Sequence, residues 1–470
     1  MVFSSLEFLY IFLPCCLLLY FAVPGLKAKN YVLTALSLVF YAFGEPVWVA
    51  LLVFSALTDY VNGRLIGRYR GTWKAKAALV ASLVINLGLL CAFKYLNFFF
   101  SSLGLLFHTD MPSIALSMPI GISFYTFQTL SYTIDAYRGK TEVQKSFGSF
   151  LLFVSLFTQL IAGPILRYSD LAHQLENRRS TLYGAAAGLT RFMFGLGKKV
   201  LIANAAGRTA DLILTGNLAE ITTLDAWLGM LCFTFQIYFD FSGYSDMAIG
   251  LGRVFGFQFG ENFNYPYVSR SITEFWRRWH ISLGSFFRDY VYIPLGGNRR
   301  FQLRNILIVW LLTGLWHGAS WNFVLWGAYY GVLLSVEKFA LKKWRLPGFS
   351  AVFATFFFTV LGWVLFYFTD LTRAGAAYAA MFGVGHAFAN QTSWTLLLNN
   401  APLLILAFLA ATPLPSNIAV QLRRLGLDIL SPKRGAVRAA ATSIAAAVLL
   451  ALSTIMLVGD SYNPFLYFRF

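Results

Sequence analysis

Residues 305–337 read NILIVWLLTGLWHGASWNFVLWGAYYGVLLSVE, and this apolar run decides the fold because strongly basic stretches flank it on both sides. Residues 270–304 hold seven arginines against two acids, and residues 338–345 hold three lysines and one arginine. Lys and Arg mark the cytoplasmic side of a membrane, so the run must leave that side and return to it. The pattern predicts an apolar hairpin with His317 near mid-depth, where an ionisable group is costly and usually functional.

The composition of the whole chain predicts an all-α, polytopic integral membrane protein. Its 470 residues are 58% hydrophobic and 12% charged, with a mean hydropathy of +0.63, whereas a soluble domain carries about 25% charged residues. The net charge of +17 arises mainly from short loops between apolar segments. Orientation in the bilayer therefore explains this charge better than nucleic-acid binding does.

The order of apolar and basic segments predicts ten to thirteen spans, and residues 77–107 form a segment long enough to break in two. Four basic loops are expected in the cytoplasm, namely residues 64–76, 138–145, 338–345 and 423–438. This alternation places both termini outside the cytoplasm. Because no internal repeat or linker interrupts the sequence, we expect one membrane domain, residues 1–470, with a motif-bearing core at about 224–336.

Two acidic residues lie within the apolar stretch 235–254. Asp240 and Asp246 flank a group of small and polar residues, and a buried carboxylate needs a partner. One interpretation is structural pairing with an arginine, for example from residues 270–304. The other is a polar wall of a reaction chamber, for which Tyr244 and Asn322 are further candidates.

The stretch that begins at Ser271 combines arginines with aromatic rings. Ser271 and Glu274 form a capping box that predicts a helix start, and Trp276, Trp279 and His280 would then share one helix face. Arginines beside aromatic rings suit a phosphorylated, adenine-bearing donor such as a coenzyme A thioester. Membrane anchoring explains the same residues equally simply. The candidate donor-binding residues are Trp276, Arg277, Arg278 and Arg288.

Two histidines are candidate catalytic residues, His317 on the hairpin and His280 after the arginines. An isolated histidine inside a membrane is often a hydrogen-bonded structural group, but Gly314, Gly318 and Ser320 are expected to leave room beside His317. A neutral imidazole there would serve as a general base or as a nucleophile that carries an acyl group. No carboxylate or second histidine stands at ligand spacing from either residue, so no metal site is predicted.

Several motifs together resemble the membrane-bound O-acyltransferase family. They are FWRRWHISL at 275–283, RDY at 288–290, YIPLGG at 292–297, WHGASWNF at 316–323 and WG at 326–327. The motif YFDFSGYSD at 238–246, together with both ends of the chain, is similar to the bacterial branch of the family. Within that branch, the sequence is most similar to the membrane subunits of alginate O-acetylation.

The resemblance implies a ring of tilted helices around a thin central chamber, with His317 catalytic and His280 the second motif histidine. It implies a protein of the bacterial inner membrane, surrounded by lipid, that takes an acetyl group from a cytoplasmic donor, acetyl-CoA being expected. A periplasmic SGNH-hydrolase-like partner would pass that group to an exopolysaccharide such as alginate or cellulose. The alternatives are transfer of D-alanine or another acyl group to a cell-envelope polymer, acylation of a lipid, or a transporter or flippase without acyl chemistry.

Overall fold

The computed structural model describes residues 1–112, 114, 116–161, 163–341, 347–414, 417, 435–460 and 462–466. These residues form helices and connecting loops without strands, which confirms the all-α class. The first ten helices are α1 (Leu13–Ala22), α2 (Leu26–Gly44), α3 (Val49–Arg68), α4 (Trp73–Leu90), α5 (Leu96–Phe107), α6 (Ile122–Arg138), α7 (Phe147–Ser155), α8 (Phe157–Leu160), α9 (Tyr168–Asn177) and α10 (Leu182–Gly197).

The remaining helices carry most of the predicted site. They are α11 (Asn204–Leu214), α12 (Thr223–Val254), α13 (Ile272–Arg278), α14 (Ile281–Phe287), α15 (Gln302–His317), α16 (Trp321–Ser335), α17 (Gly348–Tyr367), α18 (Leu371–Met381), α19 (Gln391–Ala410) and α20 (Gly435–Gly459). Short π-helical turns occur at Phe8–Phe12, Cys91–Tyr95, Lys198–Ala203, Arg288–Tyr292 and Val336–Ala340, and a 3₁₀ turn at Pro266–Val268.

Five helices of the described residues are long and apolar enough to cross a membrane. They are Val49–Arg68, Trp73–Phe107, Gly348–Tyr367, Gln391–Ala410 and Ala439–Gly459. The second of these runs without a break through a π-helical turn at Cys91–Tyr95, so the segment at 77–107 stays one helix. Parts of the predicted cytoplasmic loops at 338–345 and 423–438 lie outside the described residues.

The chain forms two compact units. The first comprises Met1–Phe192 and Met247–Gly260, and the second comprises Met193–Asp246 and Glu261–Phe470. In the first unit, α3 packs on α4 and α6 around a buried carboxylate. Asp59 there accepts hydrogen bonds from Ser82 Oγ at 2.6 Å and from Asn86 Nδ2 at 2.8 Å. These bonds satisfy both carboxylate oxygens inside a membrane-spanning helix, where an unpaired acid would be expensive.

The second unit contains the predicted hairpin, formed by α15 and α16 with a turn at residues 318–320. Glycines let the two helices meet backbone to backbone, because a Cβ on Gly314 would lie 2.2 Å from the carbonyl oxygen of Phe323. A Cβ on Gly327 would lie 2.4 Å from the carbonyl oxygen of Trp310. Small residues at such positions permit close helix packing in membranes.

The predicted helix from Ser271 ends sooner than the sequence suggested. Ser271 Oγ caps α13 by accepting from the backbone N–H of Glu274 at 3.0 Å, as predicted. The prediction that Trp276, Trp279 and His280 share a helix face was wrong, because Trp279 is extended and His280 is left-handed, with φ of 45°. The break has a tertiary cause: the backbone carbonyl of Asn262 accepts the N–H of Ile281 at 2.9 Å, which starts a new helix there.

Candidate active site

His317 is the last residue of α15, and its side chain lies inside a cage of aromatic rings. The residue is 8% exposed. Its ring centroid lies 4.9 Å from that of Trp316, 5.1 Å from that of Trp326 and 5.1 Å from that of Phe366. Contacts on several sides hold the imidazole in one orientation, which a catalytic group requires.

A small cavity adjoins His317 within the second unit. Its lining is mainly aromatic and aliphatic, with one carboxylate, and consists of Ile237, Asp240, Phe241, Trp279, His317, Trp326, Trp363, Phe366, Phe465 and Leu466. The cavity has a volume of about 30 Å³, which is enough for about two water-sized groups. The cavity suits a small group next to the imidazole and excludes a bulky one.

The glycines near His317 do not create this space, contrary to the sequence-based expectation. A Cβ on Gly318 would lie 2.2 Å from the ring of Phe323, and Gly314 faces the backbone of the same residue. Both glycines therefore admit Phe323 and α16. The volume beside His317 comes from the arrangement of α12, α17 and residues 465–466.

Asp240 lines the cavity, and its partner is a lysine. Lys199 Nζ lies 2.8 Å from Asp240 Oδ1, and both side chains are 3% exposed. The expectation of an arginine from residues 270–304 was wrong, because α10 continues into the π-helical turn Lys198–Ala203, which carries the partner lysines toward α12. The lysine provides the partner that a buried carboxylate requires, so an ion pair lies beside the cavity that holds His317.

The other three proposed wall residues, Asp246, Tyr244 and Asn322, are not among the residues that line this cavity. Asp246 pairs with Lys198 at 2.7 Å in a more exposed position. The ring of Tyr244 packs on that of Phe465, with centroids 4.8 Å apart. Asn322 donates through Nδ2 to the carbonyl oxygen of Leu365 at 3.0 Å and thereby ties the hairpin to α17.

A larger cleft of about 540 Å³ lies beside α13 and α14. Of the candidate donor-binding residues, Trp276, Arg277 and Arg288 line it, and so does His280. Arg278 instead donates to Glu274 Oε1 at 2.6 Å and to the carbonyl oxygen of Asn264 at 3.3 Å. The cleft therefore combines aromatic walls with two guanidinium groups, of which that of Arg288 also donates to the Asp289 carboxylate at 2.7 and 3.0 Å. Guanidinium groups beside aromatic rings suit a phosphorylated ligand.

His280 is buried and held in a defined tautomer by Asn262, a residue that the sequence did not single out. The backbone N–H of Ser282 donates to Asn262 Oδ1 at 3.1 Å, which identifies that atom as the amide oxygen. His280 Nδ1, 3.2 Å from the same oxygen, must then carry the proton. Nε2 keeps its lone pair and has no hydrogen-bond partner among the described residues.

Burial also controls the charge of His280. Desolvation lowers the pKa of the imidazole to about 3, far below its ordinary value. The ring is consequently neutral near pH 7. A neutral imidazole with a bare nitrogen accepts a proton or a hydrogen bond.

Tryptophans connect the cleft and the cavity. Trp279 lines both the cleft and the cavity. The ring of Trp316 lies 5.9 Å from that of His280 and 4.9 Å from that of His317. The two candidate histidines thus share one aromatic neighbour, one imidazole lining the cleft and the other the cavity.

The sequence is similar to those of known proteins along the whole chain. The sequence profile described as MBOAT, membrane-bound O-acyltransferase family, matches residues 140–373. A probable alginate O-acetylase of Azotobacter vinelandii is 42% identical over 100% of both chains. A peptidoglycan O-acetyltransferase of Helicobacter pylori is 35% identical over 82% of this chain and 80% of its own. A teichoic acid D-alanyltransferase of Bacillus subtilis is more distant, at 30% identity over 53% of this chain and 68% of its own.

Proposed function

This chain belongs to the membrane-bound O-acyltransferase family and is an O-acyltransferase, and we propose that it takes an acetyl group from acetyl-CoA for O-acetylation of an exopolysaccharide. The full-length similarity to a probable alginate O-acetylase supports both the acetyl group and a polysaccharide acceptor. The helices long and apolar enough to span a bilayer support an integral membrane protein. We place it in the bacterial inner membrane, with its basic loops in the cytoplasm and both termini in the periplasm.

The proposal rests on the basic cleft and the small cavity beside His317, which share Trp279 in their linings. Arg277 and Arg288 line the cleft, where they would bind the phosphates of the donor. Trp279 lines both that cleft and the cavity that holds His317. The donor thioester would reach the cavity at Trp279, so that the acetyl carbonyl meets His317 while the nucleotide stays in the cleft.

His317 acts as the general base of the transfer. It takes the proton of an acceptor hydroxyl, whose oxygen attacks the thioester carbonyl. The carbon–sulfur bond breaks, an oxygen ester forms, and the departing thiolate takes the proton back from the imidazolium. His280 accepts a hydrogen bond through Nε2 and orients the donor, while Asp240 and Lys199 fix the charge around the cavity.

The acceptor hydroxyl belongs to a periplasmic hydrolase-like partner or to the polymer itself. The cleft that binds the donor and the cavity that holds His317 are separate, so donor and acceptor need not enter by one path. Such separation suits transfer across a membrane, where the donor is cytoplasmic and the polymer is not.

The test is release of coenzyme A from radiolabelled acetyl-CoA by the purified, folded protein. His317→Ala should lose at least about a hundredfold in rate, as expected for removal of a general base. His386→Ala is the matched control, because His386 lies in a loop where Nδ1 faces the carbonyl oxygen of Ile221 at 2.8 Å. Full activity in folded His317→Ala would refute the proposed role. Label retained on His317 would show that the residue acts as a nucleophile and not as a general base.

A further inference from the structure

Residues 462–466 supply part of the wall beside His317. Phe465 and Leu466 both line the cavity, and both side chains are buried. Their sequence position lies far from α12, α16 and α17, which supply most of the remaining wall. The cavity is therefore closed by a short segment outside the helices as well as by helices.

A buried ion pair holds this segment on both sides of Phe465. Lys199 Nζ donates to the carbonyl oxygen of Pro464. Asp240 Oδ2 accepts the backbone N–H of Leu466 at 2.9 Å. Since Lys199 and Asp240 also pair with each other, one charged unit fixes the backbone before and after the phenyl ring.

Further hydrogen bonds anchor the start of the segment to α11. Asn204 Nδ2 donates to Asn463 Oδ1 at 3.1 Å, and the hydroxyl of Tyr462 donates to Asp211 Oδ2 at 2.7 Å. The phenyl ring of Phe465 is itself packed on Tyr244. These anchors make the segment a fixed wall, because a backbone held at successive residues cannot yield to a larger ligand without breaking them.

The size of the cavity then limits what can lie against His317. Its space suits about two water-sized groups, and the methyl and carbonyl groups of acetyl are two such groups. Trp326, Trp363 and Phe366 contribute helical walls and are themselves buried. Each added methylene would have to displace packed side chains, which is costly in a dense interior.

We propose that Phe465 and Leu466 determine the length of the transferred acyl group by closing the cavity beside His317 to chains longer than acetyl. This inference rests on the proposed acyl transfer from a coenzyme A thioester. It assigns the segment a role in specificity, while the chemical step remains with His317.

The experiment compares coenzyme A release from acetyl-, propionyl- and butyryl-CoA. The wild-type protein should prefer acetyl-CoA over butyryl-CoA by at least about a hundredfold, which corresponds to about 2.7 kcal/mol. Phe465→Val and Leu466→Ala should each raise the butyryl-to-acetyl rate ratio by about tenfold or more. Phe235→Val is the matched control, because Phe235 is a buried residue of α12 outside the cavity lining, and it should leave the ratio unchanged.

The possible results separate this inference from the proposed function. Equal use of acetyl-CoA and butyryl-CoA by the wild-type protein would overturn the size limit, whatever the variants do. Unchanged ratios in folded variants that still use acetyl-CoA would overturn the role of residues 465–466. Release from none of the three thioesters by the wild-type protein would refute the donor itself, and with it this inference.

Discussion

His280 donates through Nδ1 to Oδ1 of Asn262 at 3.2 Å, and this one bond decides which imidazole nitrogen is basic. The same oxygen accepts the backbone N–H and the hydroxyl of Ser282 at 3.1 and 2.9 Å. Asn262 thus both positions the imidazole ring of His280 and holds the first turn of α14. A residue outside the family motifs quoted above controls the chemistry of a motif histidine.

Replacing Asn262 by aspartate should make the activity depend on pH. Wild-type His280 has a pKa of about 3, so it contributes no inflection between about pH 5 and pH 8. A carboxylate beside Nδ1 would favour the imidazolium and raise that pKa. Activity of Asn262→Asp should therefore fall with acidification, whereas Asn262→Ala should lower the rate without that pH dependence. Identical pH–rate profiles for wild type and Asn262→Asp would contradict the positioning role.

The buried neutral His280 should also make stability depend on pH. Its pKa in the folded state is about 3, below the ordinary value of 6.5, so below pH 6.5 the unfolded chain binds a proton that the folded chain lacks. The free energy of unfolding is therefore unaffected by this group above pH 6.5 and decreases below it, by about 1.4 kcal/mol per pH unit. Thermal unfolding in detergent should show a smaller loss of Tm on acidification for His280→Gln than for wild type. Equal losses of Tm in the two proteins would show that protonation of His280 does not cause the sensitivity to acid.

Breaking the ion pair of Lys199 and Asp240 should destabilise the protein strongly. Lys199→Met leaves a buried carboxylate unpaired, at a cost of about 3–5 kcal/mol. The double variant Lys199→Met with Asp240→Leu should recover part of that loss. Lys198→Met is the control, because its partially exposed pair with Asp246 contributes about 0–1 kcal/mol. Chemical denaturation in detergent measures all three, and similar losses for both lysines would contradict the assignment.

The arginines of the cleft should act on donor binding. Arg277→Gln and Arg288→Gln should each raise KM for acetyl-CoA by about tenfold with a smaller change in kcat. Arg278→Gln should leave KM unchanged, because Arg278 does not line the cleft. If Arg278→Gln raised KM as much as the other two variants, the donor would have to bind outside the cleft.

The close contact between Gly314 and the backbone of Phe323 should leave no space for a side chain at position 314. Gly314→Ala would place Cβ 2.2 Å from the carbonyl oxygen of Phe323, and the resulting overpacking should cost about 1–3 kcal/mol or more. Gly375→Ala is the control, since Gly375 in α18 has nothing within 4 Å of an added Cβ. That change should stabilise the helix by about 0.5–1 kcal/mol. The Tm values of the two variants should therefore move in opposite directions.

The sequence predicted the elements that depend on local patterns, and long-range contacts account for what it missed. The hairpin around His317 followed from an apolar run between basic stretches, and the cap at Ser271 followed from its neighbours. The break at His280 depends on Asn262, 18 residues away in sequence. The wall at Leu466 depends on Asp240, 226 residues away. Neither contact leaves a periodic signal in the sequence.

The first arm of the hairpin is short for a bilayer. A helix of 16 residues such as α15 extends about 24 Å, whereas a hydrocarbon core is about 30 Å thick. In the proposed orientation, lipid beside the exposed side chains of Leu311, Leu325 and Val332 must thin to match the protein. Membrane thickness thus becomes a physical variable of the reaction, and reconstitution in lipids of increasing chain length should slow the enzyme.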